Sequence, residues 1–90
     1  MELYTFKRRG AEAYAYETEN GDFVIKAGSK VSPTVTEELK KMRQKYNHRL
    51  ELEEKGIIKD GVFTQDYPIL SPAAAACIVG GSRFYITSWE

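Results

Sequence analysis

The side chains that could perform chemistry in this chain are few and lie far apart. The single histidine, His48, falls in a highly charged segment, whereas the single cysteine, Cys77, falls in an apolar one. A nucleophile with its base, or a tetrahedral zinc site, needs several such groups held together. We therefore predict a surface histidine and a buried structural thiol. We predict no catalytic residues, no metal site and no cofactor, so the chain is not expected to be an enzyme.

Two further patterns associated with catalysis or phosphate binding lack the context that they require. Glu37-Glu38 and Glu53-Glu54 are adjacent residues of a predicted helix, so their carboxylates point in different directions and make no acid–base pair. Gly80-Gly81 follows a predicted helix instead of preceding one, which is the wrong side for a phosphate-binding loop.

Basic residues are the remaining candidates for a binding site. Thirteen Lys and Arg balance thirteen Asp and Glu, so only a local patch could attract nucleic acid. Lys7, Arg8 and Arg9 end the first predicted strand, and Arg83 precedes the last one near Tyr85. We predict that the four basic residues contact DNA phosphates and that Tyr85 stacks on a base. The alternatives are a surface hairpin tip without a ligand and an aromatic side chain packed in the core.

The first third of the chain predicts a three-stranded antiparallel meander over residues 2–27. The runs 3–7 and 11–17 alternate in residue type and are rich in Tyr, Phe and Thr, which favour a pleated surface. Asn20-Gly21 is typical of a turn and leads into the third run, residues 23–27.

Residues 34–55 predict one long helix, about 30 Å in length, packed across the sheet. Thr34 or Thr36 can cap its start, and Gly56 fits the position after its last turn. Its charged residues are expected to form a solvated face with pairs such as Glu37–Lys41. Its apolar residues fall on one stripe, at spacings of four, three, four and four: Val35, Leu39, Met42, Tyr46 and Leu50.

The last third predicts short elements that complete an α+β domain. Residues 62–64 form a short β segment, and Ser71 caps a short helix that ends at Gly80-Gly81. Residues 84–89 form a C-terminal strand. Ninety residues are enough for one domain, which we assign to residues 1–90. The longest apolar run, residues 73–79, is too short to cross a membrane, and we expect a cytoplasmic protein.

Five segments in succession resemble a small bacterial family known as domain of unknown function 4357. The segments are GAEA (10–13), DFVIKAGS (22–29), LEEKGII (52–58), VFTQDY (62–67) and SPAAAA (71–76). The resemblance implies an accessory domain at the C-terminal end of GIY-YIG nuclease-like proteins or in restriction–modification systems. The ending also resembles a modification-associated domain linked to adenine methylases and thought to recognise modified DNA.

The resemblance carries over no catalytic residues, and the chain departs from the family pattern near its end. Residues 80–89 lack the Asn-Gly turn that relatives carry there. Of the aromatic residues in the family pattern, only the last one is matched, by Trp89. We expect a non-enzymatic accessory module that helps a nuclease or methylase partner engage nucleic acid, including modified DNA. The alternative is a protein–protein interaction or homo-oligomerisation domain without direct nucleic-acid contact, and the oligomeric state is left open.

Overall fold

The computed structural model describes residues 3–69 and 71–90. It shows a mixed α+β fold in which a four-stranded antiparallel sheet and a two-stranded hairpin accompany three helices. The elements in chain order are β1 (Leu3–Phe6), β2 (Ala13–Glu17), β3 (Phe23–Ile25), α1 (Glu37–Lys41), α2 (Arg43–Glu54), β4 (Ile58–Lys59), β5 (Val62–Phe63), β6 (Tyr67–Ile69), α3 (Pro72–Gly80) and a 3-10 turn (Ile86–Ser88).

The predicted meander is confirmed, and a strand that the sequence did not reveal extends it. β1 pairs with β2 and β2 with β3, and β6 then pairs with β3, giving the order β1-β2-β3-β6. Pro68 makes this strand difficult to predict from residue propensities, because proline cannot donate a hydrogen bond to a neighbouring strand. It is tolerated here because β6 is an edge strand of the sheet.

The single long helix predicted over residues 34–55 is wrong, because the chain breaks at Met42 into α1 and α2. The backbone of Met42 leaves the helical region, at φ −87° and ψ 73°. In an unbroken helix Leu39 and Leu52 would lie roughly 140° apart. Both are buried in the fold, at 0% and 1% exposure. The break lets both leucines face the core, and it shifts the predicted stripe so that Leu50 is exposed.

The predicted strand over residues 84–89 is also wrong. The chain forms the 3-10 turn Ile86–Ser88 instead, and Trp89 then folds back into the core. Its indole N–H donates to the carbonyl of Pro72 at 2.8 Å, and its ring packs 5.5 Å from the ring of Phe6. Burial of this one large side chain favours the turn over an extended strand, because the indole ring packs against Phe6 and Phe23.

Helix α3 is the most buried helix of the fold. Its N-cap is Ser71, as predicted, since the Ser71 hydroxyl accepts from the N–H of Ala74 at 3.1 Å. Residues 75–80 are all buried, and the helix contacts α2, β6 and the 3-10 turn. Gly80 permits this packing, because a Cβ there would collide with the rings of Phe84 and Phe6. Helix α2 contacts α3 and β4, and its Leu52 belongs to the core.

The helix break makes a direct prediction about two leucines of the same charged segment. We expect Leu39→Ala to lower the free energy of unfolding by about 2–5 kcal/mol, because it leaves a cavity in the core. Leu50→Ala is the matched control, since Leu50 is 44% exposed; it should cost less than about 1 kcal/mol. Urea unfolding of both variants measures this difference. Equal losses would show that the break at Met42 does not set which residues are buried.

Candidate nucleic-acid interface

Three of the four basic residues predicted to contact DNA are already paired within the fold. Lys7 lies 3.5 Å from a carboxylate oxygen of Glu12. Arg83 lies 3.4 Å from a carboxylate oxygen of Glu38. Arg8 is exposed and makes no ion pair with any residue in the described part of the chain. These side chains therefore do not form a block of uncommitted positive charge.

Arg9, the third paired residue, holds two distant segments together. Its backbone adopts φ +52°, a left-handed conformation that is costly for a residue with a side chain. Its guanidinium donates to the carbonyl of Thr34 at 3.0 Å, to the hydroxyl of Thr34 at 3.1 Å and to the carbonyl of Gly80 at 2.9 Å. We infer that Arg9 has a structural role at the C-terminal end of α3.

Tyr85 is exposed enough to stack on a base. Its side chain is 62% exposed, whereas Trp89, four residues later, is buried. The Tyr85 backbone N–H donates to the hydroxyl of Ser88 at 3.3 Å, which fixes the start of the 3-10 turn. A nucleic-acid role for Lys7, Arg8, Arg9, Arg83 and Tyr85 stays a prediction.

Arg49 is a buried arginine in a segment that the sequence suggested was solvated. It is only 4% exposed, and its guanidinium donates to the carbonyl and hydroxyl of Ser32 and to the carbonyl of Ile78. Burial lowers its pKa from the usual arginine value; the charge of Glu53 opposes that shift, and the charge of Arg9 adds to it. The contacts tie α2 to α3 and to the segment that precedes α1.

Three other cations surround the break between α1 and α2, and we call Lys41, Arg43 and Lys45 the junction surface. They line an open depression of about 420 Å³ together with Met42 and Gln44. None of the three makes an ion pair or a side-chain hydrogen bond within residues 3–69 and 71–90. The junction surface is therefore a local cluster of positive charge in a chain with no net charge.

The surrounding electrostatics leave this positive charge uncompensated. The two carboxylates of α1 are engaged elsewhere, since Glu38 pairs with Arg83 and Glu37 lies 3.4 Å from Lys40. The predicted Glu37–Lys41 pair is thus replaced by a pair one residue earlier. Met42 makes no side-chain cap at the start of α2, and no acidic residue lies in the first turn. The positive end of the helix dipole therefore adds to the charge of the cations.

A cleft adjoins the junction surface and shares Gln44 and Lys45 with it. It has a volume of about 260 Å³ and lies between α2, β6 and α3. Within it, His48 is half-buried instead of lying on an open surface, and its Nε2 lies 3.2 Å from the hydroxyl of Tyr67. The two rings meet edge to face at 5.8 Å. Nothing in the sequence indicated this pair, because its partners are 19 residues apart and Tyr67 belongs to the hidden strand β6.

Asp66 fixes the start of β6 and so positions Tyr67 beside His48. One carboxylate oxygen accepts from the N–H of Ala27 at 2.8 Å, and the other accepts from the hydroxyl of Tyr16 at 2.9 Å. The hydrogen bond from Ala27, followed by that from Tyr16, lowers the pKa of Asp66 below its usual value. The carboxylate thereby joins β2 and the residues that follow β3 to the start of β6.

The described residues contain no group of three or more His, Cys, Asp or Glu side chains that could hold a metal ion. Cys77 is buried, as predicted, and its sulfur exchanges hydrogen bonds of 3.4 Å with the backbone of Phe84. No helix in the described part of the chain is long and apolar enough to cross a membrane.

Comparison with known proteins identifies the family. A family model described as Domain of unknown function (DUF4357) matches residues 4–89. The chain belongs to this family. The match covers nearly the whole domain and confirms the resemblance carried by the five sequence segments. No curated protein and no solved structure matches the chain.

The contacts of Asp66 predict how the stability of this DUF4357 domain depends on pH. A carboxylate whose pKa is lowered on folding stabilises the fold above its unfolded pKa of about 4, and this contribution is lost as the pH falls through the lower folded value. We expect Asp66→Asn to show a shallower loss of unfolding free energy between about pH 5 and pH 2 than the parent protein. Asp22→Asn is the matched control, because the Asp22 carboxylate makes no hydrogen bond in the described structure. Parallel pH profiles for the parent and Asp66→Asn would contradict this assignment.

Proposed function

We propose that this domain is a non-enzymatic accessory module that contacts the phosphate backbone of nucleic acid through the junction surface. In this proposal it serves a bacterial nuclease or methylase partner, the setting that the family resemblance implies, in the cytoplasm expected from the sequence. The observation that carries the proposal is a set of three cations, Lys41, Arg43 and Lys45, that make no ion pair with the described residues and surround a helix start without a side-chain cap.

The arrangement is unfavourable for folding alone, which supports a role in binding. Arg43 and Lys45 lie in the first turn of α2, where a positive side chain near the positive end of the helix dipole costs about 0.3–1 kcal/mol. Lys41 lies in the last turn of α1, where the dipole favours it, but the three nearby like charges repel one another. Proteins commonly break such local rules at functional sites. A phosphate group would reverse the sign of both effects, because it pairs with the cations and accepts hydrogen bonds from the free N–H groups of the helix start.

Arg83 extends the proposed interface toward the residues first predicted from the sequence. Its partner Glu38 lies three residues before Lys41 on α1. An exposed ion pair contributes only about 0–1 kcal/mol, so Arg83 can exchange Glu38 for a phosphate at little cost. Arg9 lacks this freedom, because its three hydrogen bonds hold the ends of two segments.

Titration of the protein with duplex DNA at low salt tests the proposal. Three phosphate contacts should give a log–log dependence of affinity on salt with a slope of about −2.7. We expect the triple variant Lys41→Gln, Arg43→Gln, Lys45→Gln to lose this binding without any loss of stability, because it removes charges that are unfavourable at the helix start. The control variant Lys26→Gln, Lys30→Gln, Lys59→Gln removes the same charge from other exposed sites and should retain most of the binding.

Other outcomes of the same titration separate the competing interpretations. If both triple variants lost the same DNA affinity, overall charge alone would explain the binding. That result would contradict the junction surface as the interface. Loss of binding only in Lys7→Gln, Arg8→Gln would favour the patch predicted from the sequence. Absence of DNA binding at millimolar concentration would exclude nucleic-acid contact by this domain alone.

A second function, protein–protein interaction, is favoured by large apolar side chains that the fold leaves exposed. Leu3, Tyr85 and Ile86 are 50%, 62% and 61% exposed, although large apolar side chains are usually buried. Sedimentation of the DNA-free protein over a range of concentrations tests its simplest form, association with a second copy. Association that is insensitive to salt and is lost in Ile86→Glu would support this function, whereas a monomer at all concentrations would exclude self-association.

A further inference from the structure

We infer that a small aromatic pocket beside the 3-10 turn binds a methylated ammonium group. The pocket has a volume of about 100 Å³. It is lined by Tyr4, Glu17, Phe23, Pro72, Ile86 and Trp89. None of these residues belongs to the junction surface or to its cleft, so the inference is independent of the proposed nucleic-acid role.

The aromatic rings that line the pocket are held at fixed angles by their packing. The Tyr4 and Phe23 ring centroids lie 5.7 Å apart with planes tilted by 42°. The rings of Phe23 and Trp89 lie 5.1 Å apart and meet edge to face at 67°. The hydrogen bond from the Trp89 indole to the carbonyl of Pro72 fixes the third ring. The pocket is therefore formed before any ligand enters.

Glu17 supplies a negative charge at the same pocket. One of its carboxylate oxygens accepts a hydrogen bond from the hydroxyl of Tyr4 at 3.2 Å, which holds the carboxylate beside the aromatic rings. Glu17 is exposed and makes no ion pair with a described residue of the chain. Anionic ligands are disfavoured by this charge, and a cation is favoured by it.

The combination of aromatic walls and one carboxylate selects a ligand that is both apolar and positively charged. Ring faces attract a cation directly, and quaternary ammonium groups are the cations best suited to such sites. A plain lysine ammonium is strongly hydrated, whereas methyl groups remove its hydrogen-bond donors and add apolar surface. The pocket has a volume of about 100 Å³, so it has room for only a small group.

The fluorescence of Trp89 gives a direct measurement, because Trp89 is the only tryptophan of the chain. The probes are a short peptide containing trimethyllysine, the same peptide with unmodified lysine, and a peptide in which carbon replaces the quaternary nitrogen. We expect the trimethyllysine peptide to bind at least about tenfold more tightly than the uncharged peptide, given the strength of cation–π attraction in a partly desolvated site. A titration with tetramethylammonium chloride distinguishes a free amine from a peptide side chain as the preferred source of the group.

Two conservative variants isolate the contribution of the carboxylate. Glu17→Gln should weaken binding of the trimethyllysine peptide about threefold to tenfold and leave binding of the uncharged peptide unchanged. Glu19→Gln is the control, since Glu19 is exposed in the adjoining turn and does not line the pocket. Equal affinity for the charged and uncharged peptides would overturn the inference in favour of a purely apolar pocket. Unchanged Trp89 fluorescence with every probe at 10 mM would exclude this ligand class, whatever the outcome of the DNA titration.

Discussion

The guanidinium of Arg49 joins parts of the chain that are far apart in sequence. It lies in the middle of α2 and donates hydrogen bonds to Ser32, before α1, and to Ile78, in the last turn of α3. The carbonyls at a helix end have no partners within the helix, and leaving one buried and unpaired costs about 1–3 kcal/mol. Around Arg49 these carbonyls find partners, because Arg9 binds that of Gly80 and the N–H of Ser32 binds that of Val79.

This arrangement requires close approach between backbones, and the glycines at the end of α3 permit it. Gly81 adopts φ +69°, and a Cβ at that position would collide with Ser32 and Thr34. Two positive side chains also lie at the negative end of the α3 dipole, where they are stabilising. The cations of the fold thus divide by location. Arg9 and Arg49 are used internally, whereas the junction surface presents its cations to solvent at the positive end of α2.

The sequence predicted the elements whose signals are local. Alternation of residue type marked β1 to β3, and Ser71 with Pro72 marked the start of α3. The signals failed where tertiary contacts decide the outcome. The break at Met42 follows from the burial of Leu39 and Leu52 together, and the turn before Trp89 follows from the packing of a single indole ring. Neither demand is visible in a short window of sequence.

The sequence predicted the type of side chain in the candidate site but not which residues form it. Basic side chains were the correct residue type to examine, but their charge alone does not show which of them are free. Arg9 donates to the carbonyl of Gly80 and Arg83 pairs with Glu38, and each partner is more than 40 residues away in the chain. Arg49 was assigned to a solvated face, although it is buried. The free cations Lys41, Arg43 and Lys45 stand out only once the helix break and the ion pairs of Glu37 and Glu38 are known.

The role of Arg49 can be measured by comparing Arg49→Met with Arg43→Met, because both variants replace a guanidinium on α2 by an apolar side chain. Urea unfolding should show a loss of about 2–5 kcal/mol for Arg49→Met, since the carbonyls of Ser32 and Ile78 lose their donors. Arg43→Met should change the stability by less than about 0.5 kcal/mol. Amide hydrogen exchange at Ser32 and Gly81 should accelerate in Arg49→Met alone. Wild-type stability and unchanged exchange in Arg49→Met would contradict the account that this buried guanidinium holds the helices together.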